Sequence, residues 1–370
     1  MKKNEYISYK MVDQIIKKNK LQYLIMLGQR SNGKSYASKE LAIRSAWKHN
    51  AEFCYLRRRK QDIQDYMVLE YFADMMVPNK AGQTKIAEIT DGIYNEITLY
   101  RKGIYFCNTD EEGKVTRGPR IGYAHALSGL EGLKSRQFPK VEYILYEEFI
   151  ATGLYLYDEP NKLQNYVSTI FRDKVGTVIM IGNTISRVVP YFQEWELDMI
   201  PRQQQGTVDL YNFKTDNTTT TIGVFLCNSL QHNSGMFFGN SAKMITGGLW
   251  DREEKAHLEK TKEDYYILYE MVFHYSDTNQ FLMSFLQDKE QHNNLIWYVE
   301  PKTTEIKRNT RVIDPAVNES FLYSSDFIPI NDNEDKLFQY LKIGKICYSD
   351  NLTGTEFERC RQMLNPRKMS

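Results

Sequence analysis

The sequence predicts an α/β protein. A mostly parallel sheet flanked by helices carries a β-hairpin insertion, and a smaller C-terminal α+β domain follows. Three observations predict this. Apolar runs of strand length alternate with helix-period segments over about the first 200 residues. A glycine-bearing polar turn follows the first of those runs at once. The composition then changes after Pro201, where polar tracts replace the alternation.

Residues 1–20 read as a short polar helix or arm. Gln22–Leu27 is a continuous apolar run, as a strand covered on both faces requires. From Gly33 to about His49 the period is helical, with Ala37, Leu41 and Ala46 near one face. Phe53–Leu56 is a second strand, followed by Arg57-Arg58-Arg59-Lys60, and Gln61 to about Met76 is helical again. Pro78–Lys85 is a loop. From Ile86 to Tyr123 aromatic and aliphatic residues alternate between turn signals at Lys102-Gly103 and Glu111-Glu112-Gly113, which predicts an insertion of hairpins. Val141–Tyr146 is a further buried strand, Asn161–Phe171 a helix, and Val178–Ile181 a strand ending at Gly182-Asn183-Thr184. The first domain is thereby placed at 1–201. Gln203-Gln204-Gln205-Gly206 and Thr218-Thr219-Thr220-Thr221 mark 202–255 as a linker region with some local structure of its own. Tyr265–His274, Phe281–Gln287 and Leu295–Glu300 read as strands, and Asp335–Leu341 and Thr355–Leu364 as helices, of a second domain at 256–370.

The length of 370 residues suits about two domains. No apolar stretch is long enough to span a membrane, and Met1–Lys10 lacks the apolar region of a secretion signal. Five scattered cysteines with no C-x-x-C pair indicate neither a zinc site nor a disulfide framework, so a reducing cytoplasm is expected. The net charge of +1 conceals an asymmetry: residues 1–60 hold 15 Lys and Arg against 4 Asp and Glu. A basic front suits a polyanionic partner, and a solvated basic face accounts for it equally well.

Gly28-Gln29-Arg30-Ser31-Asn32-Gly33-Lys34-Ser35 satisfies G-x-x-x-x-G-K-[ST] at every fixed position. The glycines let backbone N–H groups turn inward around phosphate oxygens, and the helix that starts near Gly33 adds its positive end. Lys34 would reach the β- and γ-phosphates of ATP, and Ser35 would ligate Mg²⁺. Such a loop needs a carboxylate at the end of another nearby strand. Val141-Glu-Tyr-Ile-Leu-Tyr-Glu-Glu148 provides two: Glu147 for the Mg²⁺ shell, directly or through water, and Glu148 to orient and deprotonate the attacking water. Most such strands have Asp at the first acid, and Glu147 is longer by a methylene. Paired acids favour hydrolysis over transfer to a small acceptor. The strand at Phe53–Leu56 intervenes in sequence between the loop's strand and the acidic strand, which predicts that these two are not neighbours in the sheet. That is the arrangement of ring and translocating (ASCE-class) ATPases. Asn183, at a strand tip, could bond the γ-phosphate or the attacking water, or simply turn the chain. Arg172, at a helix end, suits an arginine finger or a surface arginine complementing the helix C-terminus. The Arg57–Lys60 cluster could touch nucleotide, a neighbouring subunit or nucleic acid, or be a solvated run.

In order along the chain, Gly28–Ser35, Leu56-Arg-Arg-Arg-Lys60, Lys134-Ser-Arg-Gln-Phe-Pro139, Ile144-Leu-Tyr-Glu-Glu-Phe149, Thr169-Ile-Phe-Arg172 and Asn183-Thr-Ile-Ser-Arg-Val-Val-Pro-Tyr-Phe192 resemble the DNA-packaging ATPases of φ29-like tailed phages. The resemblance covers roughly residues 20–195 and fades beyond. It implies a homo-oligomeric ring, a pentamer, at the portal vertex of a procapsid in the host cytoplasm, moving double-stranded DNA inward by ATP hydrolysis. It implies that Lys34 and Ser35 bind nucleotide, that Glu147 serves Mg²⁺, where the family pattern has Asp, and that Glu148 is the catalytic glutamate. Arg172 matches an arginine offered in trans, and Lys134 and Lys60, with Arg57 beside it, match basic residues near the interface. Lys134, Arg136, Lys140 and Lys162 are the candidates for gripping DNA phosphates in a central channel. The second domain would resemble an RNase H-like nuclease that has lost its activity and serves docking, to a structural RNA or the portal, or nucleic-acid binding. Glu270, Asp277, Asp288 and Glu290 lie there without the spacing of a two-metal cluster. A terminase-like motor with a working nuclease and a P-loop kinase acting on a small acceptor are the rival readings.

Overall fold

The computed structural model describes residues 6–29, 31–151, 155–172, 174–183, 189–197, 199–200, 203–214, 218–228, 255–276, 279–302, 306, 309–316, 320 and 322–364. The chain divides into two compact units: residues 1–185 with 190–249, and residues 186–189 with 250–370.

In the first unit, helix α1 (Tyr9–Asn19) starts at Ser8, whose hydroxyl accepts the Met11 N–H at 3.4 Å, and buries Val12 and Ile16. Strand β1 (Tyr23–Gly28) has Leu24, Ile25, Met26 and Leu27 fully buried, which explains its unbroken apolar run. Helix α2 (Lys34–His49) faces the core with Ala37, Leu41, Ala42 and Ile43. Then follow β2 (Glu52–Arg57), α3 (Asp65–Met76), α4 (Lys85–Ile89), β3 (Glu96–Tyr100), β4 (Gly103–Thr109), β5 (Val115–Ala126) and β6 (Val141–Glu147). Helix α5 (Glu159–Phe171), β7 (Thr177–Asn183), α6 (Pro190–Glu194), β8 (Val208–Lys214) and β9 (Thr219–Leu226) complete the unit.

Its sheet has nine strands in the order β3-β4-β5-β2-β6-β7-β1-β9-β8. The six from β5 to β9 run parallel, and β3, β4 and β8 extend the two edges antiparallel. As expected, the loop's strand β1 and the acidic strand β6 are not neighbours. The strand between them is β7, whereas β2 lies on the far side of β6. The residue 86–123 insertion opens with the short helix α4 rather than a strand, and its hairpins are continuous with the main sheet. The helix expected from Gln61 begins as a 3₁₀ turn over Lys60–Ile63 before α3.

One boundary needs correction. Val208–Lys214 and Thr219–Leu226, expected inside a linker, are strands of the first sheet, with β9 parallel to β1 from Tyr23↔Ile222 to Leu27↔Leu226. The threonine tract reads as low complexity, but β-branched threonines fit a pleated edge. The Ile222–Cys227 run behind them is buried. The remainder of the expected linker from 229 to 254 lies outside the described residues.

The second unit is a six-stranded sheet of β10 (Tyr265–Ser276), β11 (Asn279–Asp288), β12 (Leu295–Pro301), β13 (Arg311–Ile313), β14 (Tyr323–Ser324) and β15 (Ile346–Tyr348), with helices α7 (Asp332–Lys342) and α8 (Asn351–Leu364). The order is β14-β13-β10-β11-β12-β15; β10, β11 and β12 form an antiparallel meander, with parallel β13 and β15 added at its sides. Phe273, Phe285 and Trp297 pack with Phe338 and Phe357 of the helices as its core.

Candidate nucleotide site

Strand β1 delivers the chain to Gly28 with φ +150°, and a Cβ there would meet Asn32 Nδ2 at 3.0 Å and Cys227 Cβ at 3.1 Å. Gly33 has φ +91° and faces the Ile7 carbonyl at 3.1 Å from where a Cβ would sit. Both positions therefore require glycine. The segment before α1 straps the loop, with Ile7 N–H donating to the Asn32 carbonyl at 3.1 Å.

Within the loop, Lys34 is buried and its ammonium donates to the carbonyls of Gly28 (3.0 Å) and Gln29 (2.5 Å) and to Asn32 Oδ1 (3.1 Å). Burial lowers its pKa to about 8, against the opposing pull of Cys227 and Glu147. Two amide donors in the same loop, Gln29 Nε2 and Asn32 Nδ2, are buried without a hydrogen-bond partner. Each such group left unpaired costs about 1–3 kcal/mol, and an acceptor-rich group in the loop would satisfy both.

Strand β6 brings Glu147 to the loop. Ser35 Oγ donates to its Oε2 at 3.2 Å and Tyr71 Oη to its Oε1 at 2.8 Å. Burial raises the Glu147 pKa, with the Tyr71 and Ser35 hydrogen bonds opposing. The Tyr71 hydroxyl stays a donor, because burial and then the Glu147 charge push its pKa well above the tyrosine value.

At Glu148 the chain leaves the strand with φ +54°, which turns this side chain away from the core to 61% exposure. Its Oε2 meets Arg57 Nη2 at 2.6 Å. Arg57, an interface candidate from sequence, is thus engaged with the acid pair of its own chain. Asn183 ends β7 directly opposite Gly28 in the β1–β7 register. A cavity of about 330 Å³ is lined by Ser31–Tyr36, Glu147, Glu148, Gly182 and Asn183, among others, within the usual size of ligand sites.

The backbone beside Glu148 is held by a network that sequence reasoning missed. Arg58 donates to the carbonyls of Glu148 (3.2 Å) and Phe149 (2.6 Å), and its Nε pairs with Glu159 Oε2 at 2.8 Å. Glu159, fully buried at the start of α5, also accepts from Tyr146 Oη (2.8 Å), Tyr191 Oη (2.9 Å) and Leu156 N–H (2.8 Å). Nothing in the spacing announces these partners; the one signal was a charged residue next to Pro160 at a helix start.

Of the expected site residues, Gly28, Gln29, Ser31, Asn32, Gly33, Lys34, Ser35, Glu147, Glu148 and Asn183 converge, and Arg30 lies outside the described residues. Arg172 is not brought to this cavity. It caps α5 just before β7 begins, at the opposite edge of the parallel strands, where its guanidinium donates to the carbonyls of Lys134 (3.3 Å) and Arg136 (2.9 Å). Lys140, which bonds Asn50, precedes β6 at that same edge. Lys162 lies on α5, bonded to the Tyr157 carbonyl. Exposed Lys60 opens the 3₁₀ turn after β2, its N–H bonded to Ser128 Oγ at 3.2 Å. In the second unit, Asp288 and Glu290 are both paired with Lys260, Glu270 accepts from Ser284, and Asp277 is outside the described residues.

A glycine-flanked loop running from a buried strand into a helix, with an acid pair arriving from a strand one removed, defines a P-loop α/β protein. The model of the Podovirus DNA encapsidation protein (Gp16) family matches residues 4–213, and the chain belongs to that family. The DNA packaging protein of Bacillus phage B103 is 31% identical over 171 residues, 45% of this chain and 46% of the relative. That of Bacillus phage phi29 is 30% identical over 171 residues, 45% and 44% of the two chains. The matched region spans less than half the length of these relatives. The bacteriophage Phi-29 viral genome packaging motor assembly shares the fold at a TM-score of 0.50 and 20% identity, over 94% of this chain and 98% of that one.

Proposed function

We propose that this chain is the ATPase of a viral DNA-packaging motor. The contact of Ser35 Oγ with Glu147 Oε2 at 3.2 Å carries the reading, because it joins loop and acidic strand across 112 residues of sequence. ATP would lie with its phosphates over Gly28–Ser35, where Lys34 exchanges the loop's own carbonyls for phosphate oxygens and the Gln29 and Asn32 amides gain acceptors. Ser35 and Glu147 present hard oxygen donors suited to Mg²⁺, which when bound neutralises phosphate charge. Glu148 Oε is the proton acceptor for the attacking water, with Arg57 fixing where it points and Asn183 lining the same cavity. The Arg58–Glu159 network keeps the Glu148 backbone in its left-handed turn, so the base is preorganised.

The placement of Arg172 at the far edge supports a finger offered to a neighbour, hence a homo-oligomeric ring, as a pentamer. Lys134, Arg136 and Lys140, with Lys162, are the candidate contacts for double-stranded DNA phosphates, and the portal of a procapsid or a structural RNA the candidate dock in the host cytoplasm. The second unit would be the part that binds that dock.

The test is ATP turnover by the purified chain with and without duplex DNA across a salt series. Turnover should rise with DNA and the stimulation fade with salt. Lys34→Ala should lose nucleotide binding. Glu148→Gln should bind ATP while turnover falls by roughly 10²–10⁴. DNA-independent turnover at every salt concentration would remove the motor reading. Phosphate appearing on an added nucleotide would favour a kinase.

A further inference from the structure

The carboxylate at the end of β6 is a glutamate, and an extra methylene gives it freedom that a shorter acid would lack. The structure shows what takes that freedom away. Tyr71 Oη donates to Oε1 at 2.8 Å, leaving Oε2 toward Ser35. Tyr71 is itself immobilised: its ring stacks on Tyr55 at 4.4 Å and packs edge-on against Phe72 at 4.9 Å. The Lys39 ammonium sits 4.5 Å from its ring centre. That same ammonium bonds the Tyr71 carbonyl at 2.6 Å and both oxygens of Asp74 at 2.6 and 2.8 Å, tying this turn of α3 to α2.

We propose that Tyr71 is a positioning residue for the metal shell: its hydroxyl occupies one Glu147 oxygen so that the other is presented, with Ser35 Oγ, to the cation of the bound nucleotide. The proposal rests on the nucleotide-site reading above. Outer hydrogen bonds of this kind orient a ligating carboxylate, and their loss typically costs about 10–100-fold in metal affinity or activity. The ring contacts hold the hydroxyl in place but make no contact with the cation, so hydroxyl and ring are separable by mutation.

Tyr71→Phe in the full chain keeps the stacked ring and removes only the hydroxyl. The measurement is Mn²⁺ binding, by electron paramagnetic resonance, with a non-hydrolysable ATP analogue present. Affinity for the analogue without metal is read in parallel. The expected result is about a tenfold loss of Mn²⁺ affinity with unchanged metal-free affinity. Glu147→Asp withdraws the carboxylate from Tyr71, so adding Tyr71→Phe to it should change Mn²⁺ affinity by no more than about twofold, a non-additive pair. Wild-type Mn²⁺ affinity in Tyr71→Phe, or full additivity with Glu147→Asp, overturns the positioning role and leaves the nucleotide site standing. Absence of nucleotide-dependent Mn²⁺ binding in the wild type overturns both.

Discussion

Glu159→Ala tests whether the network beneath the acid pair matters to both stability and turnover. In the native chain the Glu159 side chain is fully buried and accepts from Arg58, two tyrosine hydroxyls and a backbone N–H. Truncation leaves the Arg58 guanidinium, itself only 10% exposed, without its counter-charge. Breaking one side of a buried pair costs about 3–5 kcal/mol. For a unit of this size, ~1 kcal/mol shifts Tm by about 2–4 °C, so the first unit's transition should fall by roughly 6–20 °C. Differential scanning calorimetry reads that shift. Steady-state ATP turnover, at a temperature where the variant is folded, should show kcat falling with KM nearly unchanged, because the Glu148 turn loosens while the phosphate loop stays intact. The double variant Arg58→Met with Glu159→Leu separates the two effects. It should regain part of the stability, since apolar replacement removes the uncompensated Arg58 charge while the tyrosine hydroxyls and the freed carbonyls stay unpaired. It should not regain kcat, because Arg58→Met removes the donor to the carbonyls of Glu148 and Phe149. A Tm drop below about 2 °C in Glu159→Ala, with full kcat, would refute the reasoning.

Three further outcomes follow from the same geometry. Arg57→Ala should lower kcat several-fold at unchanged nucleotide affinity, seen by comparing turnover with fluorescent-nucleotide titration; a change in affinity alone would contradict its placement on Glu148. Chains carrying Arg172→Ala and chains carrying Glu148→Gln should each be inactive as pure rings and regain turnover when mixed, if Arg172 serves a neighbour; mixtures as dead as their parents count against the trans role. His125 is buried against Tyr166, Tyr123 and Phe138, and burial, with Arg136 nearby, lowers its pKa to about 3. Its folded pKa lies below the unfolded value near 6.5, so the folded state binds fewer protons and stability is lost as pH falls from about 6.5 toward 3. The loss should reach about 2 kcal/mol by pH 5 in urea melts, and His125→Phe should flatten that slope.

The phosphate loop, its strand and the acid pair were legible because each is a local pattern: a fixed spacing, an unbroken apolar run, and acids at a strand end. The sheet's far edge was not. Thr218–Thr221 looks like linker by composition, and only pairing with β8, from Thr219↔Lys214 to Thr221↔Asn212, reveals Thr219–Thr221 as strand. Which strand separates β1 from β6 was equally hidden, since both β2 and β7 are short apolar runs and sheet order is a tertiary choice. Arg58 stood in a run of four basic residues, and its partner lies 101 residues away. Tyr71 read as one more aromatic on an amphipathic helix. Both depend on contacts between distant segments, which carry no period in the sequence.

Strand β5 belongs to two neighbourhoods at once. It pairs with β4 from Val115 to Tyr123 and with β2 from Gly122 to Ala126, and the last residue of β2, Arg57, holds Glu148. A hydrogen-bonded ribbon therefore runs from the hairpin tip near Gly113 to the catalytic base candidate, interrupted only by register shifts between Ile104 and Cys107. Probes attached at that tip should register events at the phosphate loop, and clamping the tip should be felt there in return.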